Sequence, residues 1–562
     1  MLYEGWQTAN GRPSMLRGAP AKTASVDPAR GASVVAPTAT SSAGAVPTAA
    51  LPTTAASALV TPSTLPPSAL SPSTAPTTPR EQVTITSDVM KATFDSQGGE
   101  LVRVEFLKHP AAESKPGGVV LLTNSNPSER VYTARSGLIN VKADGSFLPN
   151  HTTPMSFRGG SREIGDKDTL ELVAESAESG GVKLTKTFTF SKGSYLVNVK
   201  HEATNIGKDA VQPQLYVQFV RDGNKVKGGA PSLVEQFGVQ TFTGPAVYTE
   251  AQKFQKIEFT DIEKEKAKYE KTGTDGWIAM VQHYFVGAWI PAKGTALEFR
   301  TRKEGANLYS IGMVLPMPAL AAEGRSAVTT QLFLGPQEER NLEQVAAGLE
   351  LVKDYGWFTI FAKPLFWLLE KIHNLVGNWG FAIIGLTFCV KMAFFPLQSA
   401  AYRSMAKMKA VTPRMTEVRE RFKDKPQEMN KAMMELYKTE KVNPLGGCLP
   451  IVIQIPIFIA LYWVLLSSVE MRGAPWLGWI HDLSVLDPYY ILPALMTATM
   501  FLQIKLNPTP PDPLQAKLMW MMPALFSIMF FFFPAGLVLY WLTNNILSIS
   551  QQWYINKKMN VA

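Results

Sequence analysis

The apolar residues divide the chain into two parts with different periodicities. From about 82 to 350, short runs alternate between apolar and polar residues and are separated by Gly, Pro, Asn and Asp. Phe188 and Phe190 precede a Lys-Gly-Ser turn and Val197 and Val199 follow it, which is the two-residue period of a β-hairpin. Similar runs occur at 215–220 and 277–290. A segment of this length and texture predicts one large all-β sandwich domain at 82–350.

The C-terminal part of the chain contains long apolar runs instead. They occupy 380–390, 392–397, 449–466, 489–504, 519–533 and 536–549. Several are shorter than the roughly 20 residues that a helix needs to cross the hydrocarbon core. These helices could still cross the membrane if they extended into the flanking residues or if the bilayer were locally thinner. We therefore predict an α-helical polytopic membrane core at 356–555 with five spanning helices.

The charged segment 402–441 separates the first two predicted spans. Thr412 and Pro413 are typical of a helix start, with Thr as the N-cap and Pro at the first helical position. Apolar residues recur at spacings of three and four on both sides of Lys425-Pro426, which interrupts the pattern. They are Met408, Val411, Met415, Val418 and Phe422 before the break, and Met429, Met433, Leu436 and Tyr437 after it. The segment predicts a hairpin of two short amphipathic helices.

The balance of charges orients the predicted spans. Residues 402–441 contain eleven Lys and Arg against six acidic residues, whereas the loop 468–488 has Arg472 as its single base. Loops rich in Lys and Arg stay on the cytoplasmic side of a membrane. The helical hairpin and the C-terminus are therefore predicted in the cytoplasm, and the β-domain, one span earlier, on the outer side.

The N-terminal part of the chain lacks a core-forming pattern. Residues 21–80 consist mainly of Ala, Pro, Ser and Thr and contain no aromatic residue. Such a composition buries too little apolar surface to offset the entropy of ordering the chain, so we expect a disordered linker. The net charge of +9 suits anionic lipid or ribosomal RNA but does not choose between them.

The sequence offers little for covalent or metal chemistry. It has no His/Cys cluster with metal-ligand spacing, no phosphate-binding glycine loop and no nucleophile elbow. We therefore expect no catalytic residues, no metal, no cofactor and no DNA partner, and a protein that is not an enzyme.

Lys391 is the most informative residue because it interrupts the first apolar run. A lysine near the centre of a spanning helix costs about 2.5–3.5 kcal/mol on insertion scales. One interpretation is that its long side chain reaches the cytoplasmic headgroups without any functional role. The other is that it lies in a polar site.

Other polar residues in the apolar runs favour the second interpretation. Thr387 lies one turn before Lys391, Gln454 falls in the second run, and Asn544 and Asn545 interrupt the last one. Counted from the predicted helix ends, Lys391, Gln454 and the two Asn residues lie towards the cytoplasmic half. Together the residues favour a hydrated pocket, open to the cytoplasm and closed towards the outside, over separate structural roles, for which interhelical hydrogen bonds would explain the amides.

Two further groups of residues allow either a structural or a client-binding interpretation. Tyr540 and Trp541 lie in the last apolar run. They either line a groove or act as an ordinary aromatic anchor. The hairpin methionines have soft, adaptable side chains that suit variable apolar clients, or they simply pack the two helices together.

At these residues the sequence resembles the YidC family, the bacterial relatives of the mitochondrial Oxa and chloroplast Alb insertases. Ordered motifs cover about 350–555 and extend into the β-domain. They are Gly377-Asn378-Trp379-Gly380, Glu440-Lys441-Val442-Asn443-Pro444-Leu445-Gly446-Gly447-Cys448, Trp479-Ile480-His481-Asp482-Leu483, Asp487-Pro488-Tyr489-Tyr490-Ile491-Leu492-Pro493 and Gly536-Leu537-Val538-Leu539-Tyr540. The motif in the β-domain is Gly276-Trp277-Ile278-Ala279-Met280-Val281-Gln282-His283-Tyr284-Phe285.

The resemblance implies an inner-membrane insertase and chaperone. It implies a groove open to the cytoplasm and the lipid, a periplasmic β-supersandwich and a mobile cytoplasmic hairpin. Lys391 matches the position where the family usually has an arginine, which would bind carboxylates in a bidentate manner. Thr387, Tyr540 and Trp541 match groove positions that contact clients. The implied partners are nascent membrane proteins, membrane lipids, the Sec translocon and the ribosome.

The ends of the chain depart from the family pattern. Family members with a large periplasmic domain begin with a further transmembrane helix, so 1–20 is interpreted as the remnant after a missing first helix, and the natural start is expected upstream. The tail 556–562 is short and carries Lys557 and Lys558 as its charges. Because relatives contact ribosomes with long basic tails, a tail contribution here is doubtful.

Two other functions remain open at this point. A channel or transporter would explain a polar groove, but neither a repeated span pattern nor a coupling site is evident. A membrane-anchored carbohydrate-binding protein rests on the analogy that large β-sandwiches often bind sugars.

Overall fold

The computed structural model describes residues 80–112, 115–126, 130–139, 147–224, 242–440, 449–506 and 513–558. The predicted remnant 1–20, almost all of the predicted linker 21–80 and the end of the tail 556–562 therefore lie outside the described residues.

The N-terminal half of the described chain is built from β-strands in antiparallel pairs. Their bounds are β1 (Gln82–Thr86), β2 (Met90–Asp95), β3 (Glu100–Ala112), β4 (Lys115–Val120), β5 (Thr123–Asn126), β6 (Arg130–Ile139), β7 (Met155–Phe157), β8 (Thr169–Ser176), β9 (Val182–Ser191), β10 (Leu196–Asn205), β11 (Gln214–Asp222), β12 (Gly244–Thr249), β13 (Lys253–Lys256), β14 (Thr272–Gly273), β15 (Trp277–Val281), β16 (Phe285–Pro291), β17 (Leu297–Gly305), β18 (Leu308–Pro316) and β19 (Arg325–Pro336).

These strands form two sheets. The first has the order β1-β2-β3-β6-β11-β18-β17-β14, with β4 paired to β3 and β5 paired to β6. The second has the order β13-β12-β15-β16-β19-β10-β9-β8-β7. The predicted hairpin is confirmed, because Val197 of β10 lies opposite Phe190 of β9 and Val199 lies opposite Phe188.

Aromatic pairs fill the space between the two sheets. Phe94 of the first sheet contacts Phe188 of the second, with ring centroids 4.6 Å apart, and Phe219 faces Trp289 at 6.2 Å. All four side chains are buried. Large aromatic rings bury the most apolar area per residue, which is why alternating Phe and Trp positions on both inner faces hold the sheets together. The predicted all-β sandwich is confirmed.

A buried lysine also bridges the sheets. The Nζ atom of Lys186, on β9, donates to the carbonyl oxygens of Gly98 at 2.6 Å and of Ser136 at 2.8 Å. Desolvation lowers the pKa of Lys186 to about 7, although the neighbouring Glu100 carboxylate opposes the shift. Burial therefore disfavours the protonated form of Lys186 in the folded domain, even though two of its N–H donors have carbonyl partners.

The stability of the chain should depend on pH through Lys186. Between about pH 7 and 10.5 the unfolded chain binds a proton that the folded domain releases, so stability rises with pH in this window, by up to about 1.4 kcal/mol per pH unit. Thermal melts of the wild type and of Lys186→Met across this range measure the effect. The melting temperature of the wild type should rise relative to that of the variant as pH increases. If the melting temperatures of the two proteins changed in parallel with pH, Lys186 would not be the source of the dependence.

The C-terminal half is helical. The helices of the described chain are α1 (Phe259–Glu263) and α2 (Glu339–Val345) in or next to the β-domain, followed by α3 (Thr359–Val376), α4 (Trp379–Ala393), α5 (Phe395–Arg421), α6 (Pro426–Thr439), α7 (Leu449–Ser467), α8 (Ile491–Leu506), α9 (Pro513–Phe530) and α10 (Ala535–Lys558). A single apolar cluster includes residues of α3, α4, α7, α8, α9 and α10.

The lengths of these helices do not confirm five separate spans. Within the described residues, no individual helix is both long and apolar enough to cross a membrane. Helices α4 and α5 meet the criteria only as a pair, and they are bent by 69° relative to each other. Shorter apolar segments occur at Gln454–Ser467, Ile491–Leu506 and Ala516–Phe530. The number of spans therefore stays a prediction.

The predicted helix start at Thr412-Pro413 is wrong. Helix α5 begins at Phe395 and continues to Arg421 with Pro413 in its interior. Proline removes one backbone donor and crowds the preceding turn. The buried residues Val411 and Met415 lie on both sides of the proline and pack against α6, which offsets that cost. The predicted break at Lys425-Pro426 is confirmed, because Pro426 opens α6.

The β-domain and the segment after it contact the end of α7 and the turn that follows through three polar groups. Lys353 is buried, and its Nζ atom donates to both carboxylate oxygens of Glu470, at 3.1 and 3.2 Å. His283 donates to the carbonyl oxygen of Leu466 at 2.9 Å, and Arg472 donates to the carbonyl oxygen of Ala111 at 2.9 Å. We call this set of contacts the junction.

The Lys353 ammonium also lies 3.9 Å from the centroid of the Phe366 ring of α3. A cation placed over an aromatic face is attracted by the ring quadrupole. The junction therefore joins the β-domain, α3 and the turn after α7 around one buried charge.

Removing the acidic partner of this charge should destabilise the chain. Glu470→Ala removes the carboxylate that pairs with the buried Lys353 ammonium among the described residues, so we expect a loss of about 3 kcal/mol in the free energy of unfolding, measured by chemical or thermal denaturation in nanodiscs. The matched control is the double variant Lys353→Met/Glu470→Ala, which should recover most of the loss. An unchanged stability of Glu470→Ala would show that the pair contributes little.

Candidate functional site

Lys391 lies where three helices meet. It is two residues before the end of α4, and its side chain is buried within the protein. Its Nζ atom donates to Ser548 Oγ of α10 at 2.7 Å and lies 3.4 Å from Gln398 Oε1, the acceptor in the first turn of α5. The bend at Phe394, between α4 and α5, brings Gln398 back towards Lys391. The lysine is therefore held inside the helical core and does not extend freely along its helix.

The hydroxyl of Ser548 is oriented by its own helix. It donates its proton to the carbonyl oxygen of Asn544 at 2.7 Å. The oxygen of Ser548 therefore presents only lone pairs to the Lys391 ammonium. A serine whose hydroxyl donates to the carbonyl oxygen four residues earlier has a partner for its proton in the apolar environment. Its oxygen can still accept a hydrogen bond from another helix.

The Lys391 ammonium has neutral partners. Among the ion pairs between described residues, none includes Lys391, and both of its hydrogen-bond acceptors are uncharged. An ammonium in a low-dielectric environment interacts far more strongly with an added negative charge than the same group in water. The site therefore carries a positive charge that the surrounding protein solvates but does not neutralise.

One face of α10 is polar from Asn544 to Gln552. Asn544, Asn545, Ser548, Gln551 and Gln552 are all buried, and their spacing of three and four residues places them towards neighbouring helices.

These side chains connect α10 to two other helices. Asn545 Nδ2 donates to Thr499 Oγ1 of α8 at 3.2 Å. Gln551 Nε2 donates to Ser399 Oγ of α5 at 3.1 Å, and the carbonyl oxygen of Phe395 lies 3.4 Å from the same nitrogen. We refer to the polar face of α10 together with Lys391, Gln398 and Ser399 as the polar seam.

Some of the predicted site residues belong to this seam, and two others, Gln454 and Tyr540, form a separate pair nearer the start of α10. Gln454 of α7 donates to the Tyr540 hydroxyl of α10. Because Tyr540, Asn544 and Ser548 follow at intervals of four residues, the Gln454–Tyr540 pair lies on the same stripe of α10 as the Lys391 contacts. The structure thus places Gln454 beside Tyr540 and Lys391 beside Ser548, two positions on one side of α10 with Asn544 between them.

Thr387 and Trp541 make different contacts. The hydroxyl of Thr387 donates to the carbonyl oxygen of Ile383 in its own helix at 2.7 Å. The Trp541 ring packs edge-on against Phe458 and also against Phe530, with centroids 4.6 and 5.2 Å apart. Thr387 is satisfied within its own helix, whereas the buried Nε1 atom of Trp541 has no hydrogen-bond partner among the described residues. Neither residue contacts Lys391 through a hydrogen bond between described residues.

The predicted hairpin residues mainly pack α5 against α6. Val411 and Met415 are buried, and Met408 and Met433 pack against them with Leu436 and Tyr437. Phe422 caps the end of α5, and Met429 is half-buried in α6. Arg414 donates to Glu440 across the pair. The packing interpretation therefore accounts for Met408, Met415 and Met433.

Five residues of the seam were missed from sequence: Gln398, Ser399, Ser548, Gln551 and Gln552. They lie at or just beyond the ends of the apolar runs, where a polar side chain is unremarkable. The available signal was the spacing of polar residues at 544, 548, 551 and 552, which marks one face of a helix.

Comparison with known proteins identifies the family. A family model described as "60Kd inner membrane protein" matches residues 371–562, and one described as "YidC periplasmic domain" matches residues 82–368. The membrane protein insertase YidC of Cupriavidus necator is 53% identical over 569 residues, covering 100% of this chain and 95% of that protein. The corresponding insertase of Burkholderia multivorans is 49% identical over 561 residues, covering 100% and 96%.

A solved structure is also similar. The crystal structure described as an active YidC insertase with the first transmembrane domain resolved has 18% identity and a TM-score of 0.38, over 85% of this chain and 93% of that chain.

The fold and these matches define a class, that of inner-membrane proteins that carry a periplasmic β-domain on a helical core. The chain belongs to the YidC family of membrane protein insertases. It resides in the bacterial inner membrane, and its substrates are membrane proteins. The relatives are named as insertases, so the channel and the carbohydrate-binding alternatives are not favoured.

The hydrogen bonds of the seam should contribute modestly to stability. Gln551→Ala removes the bond from α10 to Ser399, and measured interhelical hydrogen bonds in membranes average about 0.6 kcal/mol with a maximum near 1.7. We expect a loss in this range, measured as unfolding free energy in nanodiscs. Ser550→Ala is the control, because Ser550 is exposed and bonds only to Ile546 of its own helix. Equal effects of the two substitutions would contradict the assignment.

Proposed function

We propose that the polar seam is the groove in which a client's hydrophilic segment is held while it enters the bilayer, with the Lys391 ammonium as its charge-selective point. The observation that carries the proposal is a buried ammonium whose hydrogen-bond acceptors, Ser548 and Gln398, are both neutral.

The physical need for such a groove follows from the bilayer itself. Hydrocarbon offers no hydrogen-bond partners, so each unsatisfied polar group that crosses it costs several kcal/mol. Amide and hydroxyl side chains along the seam replace water for part of the path. The apolar distance that a client's polar segment must cross becomes shorter, and the barrier to its translocation falls.

The seam residues supply different interactions to the client. Lys391 attracts carboxylates by electrostatics alone, and as a lysine it acts as a point charge. Asn544 and Asn545 supply amide donors and acceptors. Gln454 and Tyr540 bond to each other and exchange that bond for one to the client, while Thr387 and Trp541 line the path.

The arrangement in the membrane is part of the proposal. The five helical segments of the core at 356–555 span the inner membrane, with the hairpin 402–441 and the C-terminus in the cytoplasm and the β-domain 82–350 in the periplasm. The excess of Lys and Arg in 402–441 supports this orientation. The groove then opens to the cytoplasm and to the lipid.

The proposed partners follow from this orientation. A client emerging from a ribosome meets the cytoplasmic hairpin first, where the half-exposed Met429 and the exposed Met434 offer adaptable apolar contacts. Insertion then proceeds from the seam into lipid, either by this protein alone or beside the Sec translocon.

Reconstitution tests the proposal with a matched pair of clients. Purified chain in liposomes is given a small single-span client with two Asp in its translocated segment, or the same client with Asn at both positions. We expect Lys391→Ala to lower insertion of the Asp client about tenfold relative to the Asn client, equivalent to roughly 1.4 kcal/mol. Lys391→Arg, which keeps the charge, is the control and should retain most of the preference.

The outcomes separate the assignments. Equal loss for the two clients would mean that Lys391 acts through structure and not through charge. Undiminished insertion of both clients by Lys391→Ala would overturn the proposed role of the seam.

A further inference from the structure

The geometry around Lys391 raises the question of what holds its side chain in the seam. A lysine has four flexible methylene groups and loses rotamer entropy when it is held in place, and in a spanning segment its favoured course is towards the headgroups. Instead, Nζ lies 2.7 Å from Ser548 Oγ, and the side chain is 8% exposed. Specific contacts must therefore oppose the tendency to extend.

The two acceptors come from two different helices. Ser548 is on α10, and its proton is already committed to the Asn544 carbonyl, so its oxygen acts as an acceptor. Gln398 is on α5, beyond the bend at Phe394. An ammonium has three donors, so within the part of the chain that the structure describes, one donor remains for a client after these two contacts.

We propose that Ser548 and Gln398 are positioning residues that hold the Lys391 ammonium at a fixed place in the seam with one donor free. This inference rests on the proposed function of the seam. Neutral acceptors suit the task, because they orient the ammonium without cancelling its charge. A carboxylate at either position would form an internal ion pair and compete with the client.

This requirement makes Gln398→Glu an informative substitution. It is nearly isosteric, and it places a carboxylate oxygen where Oε1 now lies, 3.4 Å from Nζ. The resulting internal pair imitates a bound acidic client. Clients with acidic segments should therefore lose their advantage, whereas neutral clients should not.

The readout is the ratio of insertion of the Asp client to that of the Asn client in liposomes. Gln398→Glu should lower this ratio about as far as Lys391→Ala does, with insertion of the Asn client retained. Ser548→Ala should lower it about threefold, because one of two anchors is lost, and Ser548→Thr, which keeps the hydroxyl, should preserve it. A change that merely loosened the fold would reduce insertion of both clients and leave the ratio unchanged.

Two controls make the test specific. Gln252→Glu introduces the same charge change at an exposed turn between β12 and β13 and should leave the ratio at the wild-type value. The double variant Lys391→Ala/Ser548→Ala should have the ratio of Lys391→Ala alone, because a positioning residue has nothing to position once the lysine is gone. Thermal melts of each variant establish that it is folded.

The results distinguish this inference from the function on which it rests. If Lys391→Ala leaves the ratio unchanged, the proposed charge selectivity of the seam fails. If Lys391→Ala lowers the ratio but Gln398→Glu and Ser548→Ala keep the wild-type value, the positioning role alone is overturned.

Discussion

The helical half of this protein is organised by one constraint: polar side chains placed in an apolar core must find their partners within the protein. Helix α10 carries five buried polar residues. Three of them form hydrogen bonds with Thr499 on α8, Ser399 on α5 and Lys391 on α4. Each contact fixes a helix to α10 at a defined rotation. The relative placement of α4, α5 and α8 therefore depends on satisfying this one helix.

The same constraint explains how a structural element serves as a functional one. Groups that bond to each other in the absence of a client are the groups that a client's polar segment can bond to instead. An apolar interface of equal shape would hold the helices together at least as well, but it would offer nothing to a hydrophilic segment. A seam of neutral acceptors around one ammonium combines modest stability with exchangeable contacts.

Much of the β-domain could be anticipated because its signal is local. The period of two around Phe188 and Val197 predicts both the strands and the turn between them, whereas the order of strands in two sheets depends on pairings far apart in sequence. The site divides in the same way. Lys391 is conspicuous as a charge in an apolar run. The roles of Gln398 and Ser548 could not be predicted, because they reach Lys391 only through the bend at Phe394 and the packing of α10.

The error at Pro413 has a physical lesson. A Thr-Pro pair is typical of a helix start, but the chain's preference for packing Val411 and Met415 against α6 outweighs one missing hydrogen bond. Local rules describe what a residue prefers, and here tertiary packing on both sides of the proline decided the outcome.

Because α5 continues through Pro413, Gln398 and the loop to α6 lie on the same helix. Its 27 residues extend over roughly 40 Å, and Gln398 lies about 6 Å from the bend at Phe394. A rigid tilt of α5 about Phe394 that moved its far end by ~7 Å would therefore move Gln398 by only ~1 Å, about the distance that separates a hydrogen bond from a broken one.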